Sequence, residues 1–514
     1  MIEAFATQDV YAAESTLMQT LAEGELMARA VEGLIEVVSA RIEQLGAQRV
    51  VALVGTGNNG ADALYAVAGL ALTGVNCAAL HLSGKVHPGA YAAAEAAGVV
   101  LLAADENLTI GDFSWGEVEP GRADKTSPIV QFLSEADIVL DGILGIGGRG
   151  GLPRWGATWV AAVPDTAYVI AVDVPSGQDP NGGALSADGV FADETVTFSV
   201  AKPAHLLPPT EAAAGTLTFV DIGLLPSAEP SVRRLTRDDV ADLWPVPTAA
   251  DDKYSRGVLG VVAGSERYAG AAVLAVTSAV EAGIGMVRYI GPATPTGLVR
   301  QAVPEAVIGA GQVQAWVAGP GVDPDEGTEA GRAQRQAVVD VLDAPEPVVL
   351  DAGALDLVDD SVALRRAGRT TVLTPHAGEC ARLLTRLTSQ EVTNSEVSAD
   401  PVSAARRLAE VTGATVLLKG STTIVVGPEG PVRSQADGPA WLATAGAGDV
   451  LAGVIGVLLA QGLDGPVAAA LGSLVHSVAA DDASGGGPLR ARRVAQALPS
   501  TIADLLNRGR PTVV

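Results

Sequence analysis

The chain has 514 residues, of which 48% are hydrophobic and only 4% aromatic, and it carries a formal net charge of −26. That length sets an expectation of more than one domain, with cores built from Ala, Val and Leu. The acidity argues against nucleic acid or an anionic membrane as the main partner. Two cysteines, Cys77 and Cys380, cannot form a disulfide framework and have no metal-ligand spacing, which suits a reducing cytoplasm. No basic stretch followed by an apolar core opens the chain, so no export signal is read, and no run of about 18 uncharged apolar residues marks a membrane span.

Both halves alternate short Val/Ile/Leu runs with Ala-rich helical segments, the pattern of α/β units with parallel sheets. In the first half strands are expected at Val50–Val54, Cys77–Leu82, Ile138–Asp141 and Val169–Val172, and the polar stretch Ala103–Lys125 is read as an irregular surface excursion. After the first strand, Gly55-Thr-Gly57-Asn-Asn-Gly60 satisfies the G-x-G-x-x-G dinucleotide fingerprint. The acid that should close the next strand and hold a ribose is missing, since that strand ends Leu80-His-Leu-Ser-Gly84. A nicotinamide dehydrogenase is therefore a weak reading. The amide oxygens of Asn58 and Asn59 suit a hard cation, and their NH₂ groups suit phosphate or amide oxygens. Two further loops follow strands: Asp141-Gly-Ile-Leu-Gly145-Ile-Gly-Gly-Arg-Gly-Gly151 and Asp173-Val-Pro-Ser-Gly177. Ligands of open parallel sheets bind beyond the carboxyl ends of the strands, so these loops are expected to bring Asn58, Asn59, Asp62, Asp141, Asp173 and Ser176 to one crevice.

The order Gly-Asn-Asn-Gly-x-Asp, Asp-Gly-Ile-Leu-Gly-Ile-Gly and Val172-Asp-Val-Pro-Ser-Gly177, with the later Phe198-Ser-Val-Ala-Lys202-Pro, resembles the NAD(P)HX epimerase family over roughly residues 5–223. The resemblance implies a Rossmann-like three-layer sandwich over residues 1–223. It also implies a potassium ion held by Asn59, Asp141 and Ser176. The hydrated dinucleotide would be contacted by Asn58, Asn59, Gly60, Ala61, Asp62, by Gly145, Ile146, Gly147, Gly148, Arg149, Gly150, Gly151, and by Asp173. Asp173 is then the acid–base that inverts the hydroxyl-bearing C6 of the hydrated nicotinamide ring. The family's Gly-Gly-Asp-Gly is Gly60-Ala61-Asp62-Ala63 here, two added methyl groups in the loop.

Prolines and polar residues over 224–250 interrupt the alternation, which is expected to mark a linker before a second domain at 251–514. Strands are expected there at Val258–Ala263, Trp316–Ala318, Val348–Leu350, Thr371–Leu373 and Thr415–Leu418. Small or polar loops follow each of them: Gly264-Ser265, Gly319-Pro-Gly321, Asp351-Ala-Gly-Ala-Leu355, Thr374-Pro-His376-Ala-Gly-Glu379 and Lys419-Gly-Ser-Thr-Thr423. Lys419 can neutralise phosphate, and the hydroxyls after it can donate to it. Thr444-Ala-Gly-Ala-Gly-Asp449 stands directly before the apolar run Val450–Leu459. A helix start of small residues bares N–H groups that attract anions. A carboxylate there suits a base that takes a proton from a hydroxyl attacking a phosphoryl group.

This second set resembles the ADP- or ATP-dependent NAD(P)HX dehydratases over roughly residues 250–505. The resemblance implies a ribokinase-like parallel sheet with flanking helices. Lys419, Gly420, Ser421, Thr422, Thr423 and Gly448 would bind ADP or ATP. Ala271, Gly321, His376 and Asp449 would bind NADHX or NADPHX, with Asp449 as the base and magnesium bridging the nucleotide phosphates. The family often shows Asp-Ala-Asp where this chain has Asp351-Ala-Gly353. A homo-oligomer in the cytoplasm, without nucleic-acid or membrane partners, is expected. The alternative left open is a ribokinase-class small-molecule kinase with a non-catalytic N-terminal binding module.

Overall fold

The computed structural model describes residues 1–104 and 132–508. The chain divides into two compact units, Glu3–Ser231 and Val232–Val514, the second taking in Met1–Ile2. Strands are numbered in chain order.

In the N-terminal unit seven strands form one sheet: β2 (Arg49–Val54), β3 (Asn76–Leu82), β4 (Val100–Ala104), β5 (Ile138–Gly142), β6 (Tyr168–Val172), β7 (Glu194–Phe198) and β8 (Thr216–Val220). Their order is β4-β3-β2-β5-β6-β7-β8, and every pairing is parallel. Successive side chains of a strand point to opposite faces. Val50, Ala52 and Val54 accordingly join one core with Leu34, Val38, Leu64 and Val67. Val51 and Leu53 join another with Leu133 and Trp159. Both faces are thus covered, as an all-parallel sheet requires, and the unit has three layers.

The four strands expected in this half are present within a residue of their expected ends. Three further strands had no clear signal. β7 reads Glu-Thr-Val-Thr-Phe, yet all five residues are buried. Its polar groups are satisfied internally: Arg41 reaches Glu194 at 2.6 Å, and Thr195 donates to the Ala214 carbonyl at 2.6 Å. The excursion expected at Ala103–Lys125 begins inside β4, and its remainder, 105–125, lies outside the described residues.

The second unit carries most of an 11-stranded sheet. Its strands are β9 (Val232–Arg234), β10 (Val258–Val262), β11 (Met286–Ile290), β12 (Val307–Ile308), β13 (Ala315–Ala318), β14 (Val348–Leu350), β15 (Thr371–Leu373), β16 (Thr415–Leu418), β17 (Thr423–Val426) and β18 (Val432–Gln435), with β1 (Ile2–Ala4) at the edge. The order is β1-β9-β18-β17-β16-β15-β14-β13-β10-β11-β12. Pairing is parallel from β12 to β16. The expected parallel sheet turns antiparallel where β16, β17 and β18 follow one another through short connections. Within the stretch expected as a linker, residues 232–244 supply β9 and a short helix Val240–Leu243. Leu235, Val240 and Trp244 lie in the same core as the helix Ala447–Ala460.

The turn after β2 depends on two glycines. A Cβ added at Gly55 would sit 1.9 Å from the Ile143 carbonyl oxygen, and one at Gly60 would sit 2.2 Å from the carbonyl oxygen of Gly55. Both obstacles are backbone, which cannot rotate away. Gly60→Ala is expected to destabilise the N-terminal unit by about 1–3 kcal/mol, seen as an earlier denaturant midpoint for that unit's transition. An unchanged midpoint would contradict the packing described here.

Candidate active sites

In the N-terminal unit the strand order reverses between β2 and β5, the switch point at which open α/β sheets bind ligands. Asn59 lies on the helix Asn58–Leu72 that follows β2, Asp141 lies at the end of β5, and Ser176 lies on the loop after β6. They meet around Leu144. Asn59 Nδ2 donates to the Leu144 carbonyl at 2.9 Å. Ser176 Oγ accepts from the Leu144 N–H at 2.8 Å and lies 3.0 Å from its carbonyl. Asp141 accepts from the Ser176 N–H at 2.8 Å and the Ile143 N–H at 3.2 Å. Asp141 is fully buried, and burial pushes its carboxyl up to about 6. Gly145 packs on Asn59, while Gly147 lies against the hydroxyl of Tyr11. Gly150 and Gly151 take positive φ, and Gly151 N–H donates to the Gly177 carbonyl. Ile146 is buried in the core. Arg149 and Asn58 stay exposed at the margin.

Asp173 sits just past β6 in the left-handed region, φ 66°, a conformation that costs energy in a non-glycine residue and recurs at functional sites. Its carboxylate is ion-paired with Lys202, which is 1% exposed, and accepts from Thr197 Oγ1 at 3.0 Å. Lys202 Nζ also donates to Thr197 at 2.9 Å. Asp62 is buried near this pair, and its carboxyl is held well above the usual range by burial and by the charges of Asp173 and Glu14. Glu14 itself is raised by burial and by Asp173. His205, in the short helix Pro203–Leu206, accepts the Lys202 N–H, and burial pulls its ring down to about 3. The sequence reading assigned no role to Lys202, Thr197, Tyr11 or Glu14. Lys202 lay in a motif already noticed. Tyr11 and Glu14 come from the helix Thr7–Met18, whose sequence carries no signal of this position.

The two methyl groups that replace family glycines are accommodated. Ala61 and Ala63 are buried, and Ala63 packs over Gly142, where a Cβ would lie 2.6 Å from its methyl.

In the C-terminal unit Asp351, Thr374 and Lys419 follow the adjacent parallel strands β14, β15 and β16. Lys419 Nζ lies 2.9 Å from Asp351 Oδ1 and 3.8 Å from Glu379 Oε2. Thr374 Oγ1 donates to Asp351 at 2.8 Å. Gly448 stands beside this pair: a Cβ on it would lie 3.4 Å from Lys419 Nζ and 3.9 Å from Asp351 Oδ2. Asp449 is in the first turn of the helix Ala447–Ala460, after Gly446 at φ 89°. Burial and the charge of Asp351 raise its carboxyl to about 7, against a lowering by Lys419. Lys419 in turn is raised, its desolvation outweighed by Asp351, Glu379 and Asp449.

The remaining residues border this centre. His376 bridges to Lys419 through the backbone and caps the helix Ala377–Thr388, its Nδ1 accepting from the Gly378 and Glu379 N–H groups while its ring stays exposed. Gly420, Ser421 and Thr422 form the tight connection from β16 to β17, and Thr423 is already in β17, paired with Gln435. Gly321 lies against Ala271, and the helix of Ala271 brings Leu274 against Gly446. Asp351 and Glu379 were legible as loop residues but not as partners of Lys419. Gly353 leaves no room for the family's second aspartate, since a Cβ there would meet the Val322 carbonyl oxygen at 2.1 Å.

Two family models match the chain: "NAD(P)H-hydrate dehydratase" over residues 259–499 and "YjeF-related protein N-terminus" over residues 23–204. The bifunctional NAD(P)H-hydrate repair enzyme Nnr of Mycobacterium tuberculosis is 42% identical over 480 residues, 91% of each chain. That of Mycobacterium leprae is 40% identical over 515 residues, 96% of this chain and 98% of the relative. Among solved structures, the ADP/ATP-dependent NAD(P)H-hydrate dehydratase from Bacillus subtilis, co-crystallised with ATP/Mg2+, is 28% identical and covers 52% of this chain and 97% of its own, with a TM-score of 0.45. With two-fifths of its residues shared across nearly the whole length of both mycobacterial proteins, the chain belongs to the family of bifunctional NAD(P)H-hydrate repair enzymes.

Proposed function

We propose that the chain repairs hydrated nicotinamide dinucleotides. The N-terminal unit interconverts the R and S epimers of NADHX and NADPHX, and the C-terminal unit dehydrates the S epimer with consumption of ADP or ATP. The observation that carries this reading is Asp449, a carboxyl raised to about 7 at a helix start beside Lys419, in the region matched by the dehydratase family.

In the dehydration, Lys419, the N–H of Gly448 and the loop Gly420–Thr423 receive the nucleotide phosphates. Ala271, Gly321 and His376 hold the hydrated ring's dinucleotide. Asp449 takes the proton of the C6 hydroxyl, whose oxygen attacks the terminal phosphoryl group. Phosphate then leaves C6, pushed by the ring nitrogen lone pair, and loss of a C5 proton restores the reduced nicotinamide. A base with a pKa near the working pH serves such a step best. Magnesium would arrive with the nucleotide phosphates and offset their charge. Among the described residues no group of three or more His, Cys, Asp or Glu forms a metal cage of its own, and Asp351, Glu379 and Asp449 are the carboxyl groups around Lys419 that would be available to it.

In the N-terminal unit a potassium ion suits the donor set of Asn59, Asp141 and Ser176. Asp141 is a fully buried carboxylate to which, among the described residues, no Lys or Arg is paired. A monovalent cation there would neutralise it and fix the loop Gly145–Gly151 that contacts substrate. Asp173 is the acid–base at C6. The two buried free thiols, Cys77 and Cys380, suit a reducing cytoplasm, and the proposal includes a homo-oligomer.

The deciding experiment incubates mixed hydrate epimers with ADP or ATP and follows reduced cofactor and phosphate. Free phosphate with NADH or NADPH is expected, whereas a stable phosphorylated product would establish the kinase alternative. Asp449→Asn should lower dehydration by about 10²-fold or more and leave epimer exchange intact. Asp173→Ala should stop rapid exchange and spare dehydration of the S epimer. Either variant keeping its assigned activity would remove that residue from the mechanism.

Asp449 also links stability to pH. Its folded-state pKa is above the unfolded value, so the ionised form destabilises the fold. That penalty grows as pH rises from about 4 to about 7 and is full above 7. Asp449→Asn should therefore raise the C-terminal unit's melting temperature at pH 8 by about 2 °C or more, with the gain vanishing near pH 4. The same titration predicts that kcat/KM for dehydration rises with pH through about 7.

A further inference from the structure

The N-terminal site contains a group for which substrate binding is an incomplete role. Asp62 is 8% exposed, and its Oδ1 is buried with no hydrogen-bond partner. Buried polar atoms are almost always paired, and an exception calls for an explanation. The groups around it deepen the problem. Asp173 lies beyond β6, Glu14 and Tyr11 face the site from the helix Thr7–Met18, and Lys202 is occupied by Asp173 and Thr197. Neutral His205 cannot serve as a counter-ion. A second ionised carboxylate next to Asp173 with no cation of its own would be costly, and the direction of the Asp62 shift agrees: burial and two neighbouring carboxylates favour its protonated form.

We propose that Asp62 is the second proton carrier of the epimerase, a carboxylic acid that works with Asp173 as an acid–base pair across C6. The proposal rests on the epimerase reading above. Inversion at C6 by loss and re-addition of water needs a proton given on one face and one taken on the other. Asp62 protonates the departing C6 oxygen. The C6–O bond breaks as the N1 lone pair forms N1=C6, and water leaves. Water then attacks the opposite face, the N1=C6 electrons return to nitrogen, and Asp173 takes the proton of the incoming water. Nothing is oxidised or reduced, and the proton returns from Asp173 to Asp62 through solvent before the next turnover. In the reverse direction the two carboxyls exchange roles. Two carboxyls in unlike surroundings, one paired with lysine and one unpaired, are how a single site holds an acid and a base together.

The test uses the full-length chain with mixed NADHX epimers and measures exchange above the uncatalysed rate from pH 5.5 to 9. Dehydration by the C-terminal unit serves as an internal control of folding. Asp62→Asn keeps the shape of the side chain and removes the proton. It is expected to lower the kcat for exchange by about 10²-fold or more, with KM and dehydration little changed, and to abolish the alkaline fall of the unaltered chain's profile. Asp62→Glu is expected to recover part of the rate and restore that fall. A raised KM with kcat retained, or an alkaline limb that persists in Asp62→Asn, would overturn the proposal and leave Asp62 a binding residue. Absence of catalysed exchange in the unaltered chain would instead overturn the epimerase reading itself, and this proposal with it.

Discussion

In each unit, among the described residues, one lysine is set against three neighbouring carboxyl groups, and the proposed chemistry depends on that imbalance. Lys202 pairs with Asp173 while Asp62 and Glu14 lie near by. Lys419 pairs with Asp351 while Glu379 and Asp449 compete for it. One cation can compensate one carboxylate well. Asp62, Glu14 and Asp449 are desolvated at a loss, and their protons become hard to remove. The shifts of Asp62 in one unit and Asp449 in the other are consequences of burial first, and then of neighbouring carboxylates that a single lysine does not offset. A second lysine in either place would favour the ionised forms of these carboxyls.

The scaffold that enforces this arrangement is apolar and was read easily. Val50–Val54, Val348–Leu350, Thr371–Leu373 and Thr415–Leu418 are uninterrupted runs buried on both faces, so periodicity, length and flanking glycines agree. β7 escaped because its Glu194 and two threonines look like surface residues until Arg41 and backbone carbonyls come into view from other elements. β9 and the short helix Val240–Leu243 escaped because their charges and the prolines that flank them resemble a linker, while the burial of Val240 and Trp244 is decided by the helices they pack against.

The same distinction holds at the sites. Residues supplied by a strand and its own loop could be placed from sequence, because the sheet rule says where that loop must emerge. Asn59, Asp141, Asp173, Ser176 and Lys419 are of this kind, and Asp449 is placed by the small-residue start of its own helix. Partners contributed across the sheet could not. Nothing near Lys419 in sequence names Asp351, 68 residues away, and nothing near Asp173 names Lys202, 29 residues on and reached only after another strand has crossed. Tyr11 and Glu14 are further removed, since they belong to a helix outside the β-α succession altogether.

The departures from family pattern show how local volume decides whether a substitution is neutral. At Ala63 the added methyl is met by Gly142, a neighbour with no side chain, so the extra carbon fills space that glycine left open. At Gly353 the reverse applies. The Val322 carbonyl occupies the position a Cβ would need, so an aspartate could return only with a shift of that backbone. This chain has one carboxylate there, Asp351, and Lys419 neutralises it.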